Sequence, residues 1–318
     1  MNQFDDAGLN SGQDGPIPQD EGVVMKSSVA DNSQAVSDPD AFAFVQSLAA
    51  ELSKGKVDLP SFPHIAMRVR QVLADEEVSQ EKVVRVIGSE PALAARLMQI
   101  ANSAAINFTG KPITELRTAI ARMGFNMVRS AAIAFAMSQL KKVDSLKGLE
   151  QPLDDLWQRS AAVAAMSHAV ARRFSPVNPD TAMLAGLLHG IGKLYILTRS
   201  TRHPALFENQ AAYNSVVRDW HAPVAKVLLE NWDMAEEIIT AVSEYEDFTR
   251  EHGGPPDLTD ALTVGHLLAA FKEHPDTLEL NMHDVAACKR MHIDRASYEK
   301  LIDESEHEIE ALRHALGV

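Results

Sequence analysis

The spacing of the apolar residues constrains the fold of this chain more than any other sequence feature. From Pro39 onward apolar residues recur every three or four positions, as in Phe42, Val45, Leu48 and Leu52. This spacing places them on one face of a helix. No segment shows the alternation of apolar and polar residues needed to predict a strand. Alanine, leucine and methionine supply much of the apolar content and aromatic residues only 6%, which also favours packed helices. The sequence predicts an all-α protein.

Helix boundaries follow from this periodicity and from the glycines and prolines that interrupt it. The main predicted helices cover residues 113–122, 126–140, 153–174, 178–189, 193–198, 213–232, 235–245, 258–271 and 294–316. The polar connector Lys141–Glu150 is the best internal boundary. We therefore divide the chain into a leader (1–38), a domain over 39–275 and a helical extension (276–318), and we divide the domain into lobes over 39–145 and 146–275.

The leader is acidic and lacks sustained periodicity, which predicts disorder. The first forty residues hold eight carboxylates against the single cation Lys26, and the whole chain has a net charge of −14. This charge argues against a nucleic-acid partner.

The N-terminus does not resemble a signal peptide. No apolar stretch approaches the ~18–20 residues needed to span a membrane. The single cysteine, Cys288, excludes an internal disulfide and fits a reducing compartment. We therefore expect a cytoplasmic protein without a membrane partner.

One segment carries the chemistry of the chain: the run Ala185–Leu194, which reads AGLLHGIGKL. It resembles the LLHDIGKL segment of the metal-dependent HD phosphohydrolases, in which adjacent His and Asp both bind a divalent metal. Here His189 is followed by Gly190. A metal of this kind needs an imidazole and a carboxylate that converge on it, and glycine has no side chain to offer.

Further motifs, in the same order along the chain, resemble the HDOD (HD-related output domain) family. They are Leu59-Pro60 with Pro63, Ile87–Leu93, Ala101–Ala104, Ala119-Ile120 with Met123-Gly124, Leu156-Trp157 with Ser160, and Trp220–Trp232. The resemblance covers roughly residues 52–272. It implies a helical N-terminal lobe packed on a degenerate HD-like lobe, and a bacterial signalling role.

The resemblance also locates the positions at which an HD enzyme binds metal. Arg159 takes the place of the first histidine, and an arginine cannot lose its charge to bind a cation. His189-Gly190 replaces the His-Asp pair, while His221 retains a later histidine. Glu244-Tyr245 stands where another histidine would fall, and the segment 265–270 contains no carboxylate for the closing aspartate. We therefore expect a vestigial site at Arg159, His189, Gly190 and His221, with no metal and no cofactor.

Each remaining candidate residue has a structural alternative. We expect His189 to be a buried histidine whose ring forms a hydrogen bond with a backbone carbonyl. Lys193 could hold a phosphate in an anion-binding site, although a solvated lysine is the simpler interpretation. The carboxylates Glu236, Glu237, Glu244, Glu246 and Asp247 are expected to form a charged helix face.

Three functions remain open. The leading hypothesis is a non-catalytic regulatory module that binds a protein partner. The alternatives are a metal-dependent phosphohydrolase that acts on a nucleotide or cyclic dinucleotide, and a domain that senses a nucleotide in the old pocket without turnover.

Overall fold

The computed structural model describes residues 39–54, 64–73, 75, 77–103, 106–107, 109–140, 146–200, 202–271, 282 and 284–316. Several of the sequence predictions therefore lie wholly or partly outside the described residues: the leader 1–38, the motif at Leu59–Pro63, the end of the motif Ala101–Ala104, the connector 141–150 and the domain boundary at 275–276. The described residues contain helices and turns and no strand. The all-α prediction is confirmed.

Fourteen helices follow one another along the described chain. They are α1 (Pro39–Ser53), α2 (His64–Leu73), α3 (Gln80–Gly88), α4 (Pro91–Ala101), α5 (Leu116–Leu140), α6 (Glu150–Phe174), α7 (Pro179–Leu188), α8 (Ile191–Ser200), α9 (Pro204–Glu208), α10 (Gln210–Asn231), α11 (Glu236–Glu244), α12 (Leu258–Phe271), α13 (Ala286–Met291) and α14 (Arg295–Leu316). The break predicted inside α5 is present at Gly124, whose φ of 72° interrupts the helix.

Two groups of helices form the HD-like fold. The first is α2–α5, in which α2, α3 and α4 all pack on α5. The second is centred on α6, which packs against α7 and α12 along its alanine-rich face. The two groups meet where α5 lies on α7. The last helix, α14, packs on α6 and α4, and its residues Leu301, Ile309, Leu312 and Leu316 are buried.

The segment Pro179–Arg199 departs from the expectation that no apolar stretch is long enough to span a membrane. By length and composition it passes as one candidate span, with a mean hydropathy of 1.2, and 89% of that window is buried inside the protein. It comprises α7 and α8, which are joined by the turn at His189-Gly190. These apolar residues therefore form the core of the helical domain.

Candidate functional site

His189 lies at the end of α7 and is buried, with an exposed fraction of 1%. Its Nδ1 lies 2.6 Å from the carbonyl oxygen of Gly186, so Nδ1 carries the proton and donates. This is the backbone hydrogen bond that we expected. Burial, reinforced by the positive charge of Lys193, lowers the pKa of His189 to about 3. His189 is therefore a neutral imidazole at physiological pH.

The space beside Gly190 is occupied by α6. A Cβ at this position would lie 3.1 Å from Leu156 Cδ1 and 3.1 Å from Ser160 Oγ, which is tighter than ordinary van der Waals contact. Ser160 itself is fully buried, and its hydroxyl has no hydrogen-bond partner in the described part of the chain. An aspartate at position 190 would therefore require α6 side chains to move.

Two further buried histidines lie near His189, arranged around the ring of Tyr245. Its ring centroid is 5.5 Å from that of His189, 4.9 Å from that of His266 and 6.3 Å from that of His221. All four side chains are buried. The Nδ1 atoms of His221 and His266 have no hydrogen-bond partner in the described chain. We call these four residues the histidine cluster.

Glu246 lies at the edge of the histidine cluster and accepts three hydrogen bonds. Its carboxylate lies 2.8 Å from His221 Nε2, 2.7 Å from the Tyr245 hydroxyl and 3.2 Å from Lys193 Nζ. Burial alone would raise the pKa of Glu246, but the hydrogen bond from His221 and the charge of Lys193 outweigh it and hold the pKa far below its usual range. Glu246 is therefore ionised, and both of its oxygens already accept hydrogen bonds.

Two cationic side chains, Arg159 and Lys193, lie near the histidine cluster. Arg159 on α6 is half-buried, and its charge contributes to the lowered pKa of both His189 and His266, where burial is the larger cause. The ammonium group of Lys193 forms an ion pair with the Glu246 carboxylate at 3.2 Å. The anion-binding role of Lys193 stays a prediction.

The structure thus brings the predicted residues Arg159, His189, Gly190, His221 and Lys193 into one region. It adds Tyr245, Glu246 and His266, which sequence reasoning did not assign to the site. The resemblance to HD enzymes places a carboxylate within positions 265–270, whereas the side chain that lies near His189 from this segment is the imidazole of His266. The available signal was a histidine in the part of α12 from Val264 to Ala270, where the other residues are apolar. For Glu246, the assignment to a charged helix face misses its contacts with His221 and Tyr245.

The side chains of the histidine cluster do not fit an HD-type metal. The bond from His189 Nδ1 to a carbonyl would suit a metal-binding histidine. However, position 190 supplies no carboxylate, the Glu246 carboxylate is engaged, and Arg159 and Lys193 add positive charge that opposes a cation.

A second cluster does bring potential ligand atoms together, outside the run Ala185–Leu194. Ligand atoms of His252, Asp257 and Asp260 lie within 4.8 Å of one another. Arg290 Nη1 lies 2.6 Å from Asp260 and Arg250 Nη2 lies 2.9 Å from Asp257. These two guanidinium groups neutralise the carboxylates, so a metal would have to displace them.

The helical architecture and the incomplete ligand set define a degenerate domain of the HD type. The model of the HDOD domain matches residues 59–248, which is more than half of the chain. The chain belongs to the HDOD family. No curated protein matches the sequence.

Solved structures of similar proteins support the same fold. The chain is 25% identical to a "putative metal-dependent phosphohydrolase" from Shewanella amazonensis SB2B, with a TM-score of 0.72, covering 87% of this chain and 99% of that one. It is 20% identical to an HDOD domain protein of unknown function from Geobacter sulfurreducens, with a TM-score of 0.61, covering 85% and 96%. It is 19% identical to a "putative signal transduction protein" from Marinobacter aquaeolei VT8, with a TM-score of 0.58, covering 91% and 69%.

Proposed function

We propose that this protein is a non-catalytic HDOD module that regulates signal transduction by binding another protein in the cytoplasm. The observation that carries the proposal is the state of the Glu246 carboxylate. It is the one acidic group that contacts the histidine cluster among the described hydrogen bonds, and it accepts from His221, Tyr245 and Lys193. An HD-type reaction needs a metal that activates water, and such a metal would need this carboxylate or another one beside it.

The neighbouring groups support the same conclusion. Gly190 offers no ligand, and Leu156 and Ser160 crowd the space where a side chain would begin. Arg159 and Lys193 place positive charge near His189. A role in signalling is further supported by the name of the Marinobacter relative.

The Shewanella relative favours a second candidate, a metal-dependent phosphohydrolase that acts on a nucleotide or cyclic dinucleotide, because its name gives that activity. His189, His221 and His266 would be the residues to test, since they surround Tyr245 together. The third hypothesis, a nucleotide bound without turnover, predicts a rise in melting temperature when nucleotides are added.

Elemental analysis of the purified protein tests the proposal. We expect no stoichiometric transition metal, because the charges and engaged ligands around His189 oppose its binding. Variants His189→Ala and His221→Ala should then leave the metal content unchanged, as should the control His307→Ala, which changes an exposed residue of α14. About one metal per chain, lost in the first two variants and kept in the third, would overturn the proposal.

A further inference from the structure

Helix α1 precedes the residues matched by the HDOD model and lies on helices that belong to them. The family match begins at residue 59, whereas α1 ends at Ser53. It packs on α10 and α9 and forms polar contacts with α8. The surface beneath α1, which we call the α1 groove, is therefore formed by the family domain and covered by a segment outside it.

The apolar half of this contact is small. Ala41, Phe44 and Leu48 are the buried residues of α1. The rings of Phe44 and His203 form a T-shaped contact with a centroid distance of 5.2 Å. The neighbouring Phe42 is 54% exposed. Phe44 and Leu48 are four residues apart, so they lie on one face of the helix, one turn from each other.

In the polar half of the contact, α1 supplies a carboxylate and the groove supplies cationic side chains. Glu51 accepts a hydrogen bond from the Tyr195 hydroxyl at 2.5 Å and another from Arg199 Nε at 3.0 Å. The Arg199 guanidinium also lies 4.5 Å from the centre of the Tyr195 ring. Arg202 adds a second positive charge that acts on Glu51. Charge-assisted hydrogen bonds of this kind are stronger than neutral ones.

These contacts specify what the α1 groove recognises. Two apolar side chains at positions i and i+4 enter its apolar part, and a carboxylate at i+7 reaches Tyr195 and Arg199. A helix with this pattern is an amphipathic acidic helix, and helices of this kind commonly bind grooves through such anchors. The cations of the groove favour it over a basic helix.

We infer that the α1 groove, lined by Tyr195, Arg199, Arg202 and His203, is a docking site for an acidic amphipathic helix of a partner protein, and that α1 occupies it as an intramolecular competitor. A competing helix would have to replace the three buried side chains of α1 and the contacts of Glu51. The inference deepens the proposed function by naming the kind of partner. Peptide binding to the α1 groove can be measured whether or not the protein catalyses a reaction at the histidine cluster. The docking site and the non-catalytic function can therefore fail separately.

The first test adds α1 back as a separate molecule. A fluorescent peptide of residues 39–53 is titrated into the full-length chain and into its Phe44→Ala/Leu48→Ala variant, which weakens the resident helix and leaves the groove unchanged. We expect the variant to bind one peptide per chain, and the wild type to bind about tenfold more weakly because its own α1 competes at high effective concentration.

Matched changes separate groove recognition from non-specific binding. A peptide carrying Glu51→Gln should bind the variant about tenfold more weakly, because it loses the charge-assisted hydrogen bonds. Adding Arg199→Ala to the variant should weaken the unmodified peptide similarly, whereas Lys226→Ala, an exposed cation on α10, should not. Binding that is equal in wild type and variant, or insensitive to Glu51→Gln, would overturn the inference, as would no binding to the folded variant.

Hydrogen exchange on the wild-type chain provides an independent measurement. If α1 exchanges on and off the groove, its backbone amides should exchange about 100-fold faster than those of α10. Equal protection of α1 and α10 would show that α1 is an integral part of the domain and would contradict the inference. Global unfolding of the Phe44→Ala/Leu48→Ala variant, seen as a loss of circular dichroism beyond that of one helix, would contradict it too.

Discussion

Acidification should destabilise this protein through His189, because the folded state holds that imidazole neutral. The pKa of His189 is about 3 in the folded state, against about 6.5 for a histidine in an unfolded chain. The unfolded chain therefore takes up a proton near pH 6.5 that the folded chain does not. The stability that depends on a neutral His189 is fully present above pH 6.5 and is lost progressively as the pH falls towards 3. His266 has a pKa lowered in the same direction, so it adds to this loss.

The size of the effect follows from the same values. At pH 5 the solution is about 1.5 units below the unfolded pKa, and each unit corresponds to about 1.4 kcal/mol. The proton that His189 takes up on unfolding should therefore lower the free energy of unfolding by about 2 kcal/mol when the pH falls from 7.5 to 5. Other groups also titrate in this range, so the comparison must be made between the wild type and a variant.

His189→Leu is the appropriate variant, because it fills the space with an apolar side chain of similar size and removes the titrating group. Urea unfolding at pH 7.5 and at pH 5 gives the free energy of unfolding for both proteins. We expect the wild type to lose about 2 kcal/mol more than the variant on acidification. The exposed control His307→Ala should behave like the wild type. Equal losses in the wild type and His189→Leu would refute the buried neutral state of His189.

Two further predictions concern stability and association. His189→Ala should lower the free energy of unfolding by about 3 kcal/mol at neutral pH, because it leaves a cavity and strands the Gly186 carbonyl; an unchanged melting temperature would instead indicate that the position is kept free for a ligand. Deletion of residues 1–38 should leave circular dichroism and melting unchanged while weakening capture of a partner from lysate, since an acidic tail of this composition can fold on a partner; a truncated chain that unfolds or aggregates would show that the leader belongs to the core.

The helical periodicity of the sequence was sufficient to predict most of the fold. The prediction 258–271 coincides with α12, and the longer predicted helices agree with α6 and α10 within three residues at either end. The short helices α9 and α13 were missed, because five or six residues do not contain enough turns to establish a period. The membrane-span expectation failed at α7 and α8, since two consecutive buried helices resemble one long apolar stretch in composition.

The candidate site was only partly predictable, because its members come from distant parts of the chain. His189 and His221 could be named from the motifs, as could the missing ligand at Gly190. Tyr245 and His266 were not assigned to the site from the motifs, because their places beside His189 depend on how α11 and α12 pack beside α7. No local sequence pattern indicates that Glu246, which lies among other acidic residues, accepts hydrogen bonds from the side chains of His221 and Tyr245.

A turnover assay tests the central claim most directly. Purified protein is incubated with Mg²⁺ or Mn²⁺ and with mononucleotides, (p)ppGpp-type compounds or cyclic dinucleotides, beside His189→Ala and the surface control His307→Ala. The Glu246 carboxylate is engaged and Gly190 supplies no ligand, so the described residues around His189 do not provide an HD-type ligand set for a metal that activates water. We therefore expect no hydrolysis by any of the three proteins. A metal-dependent rate in the wild type that persists in His307→Ala and is abolished in His189→Ala would contradict the account.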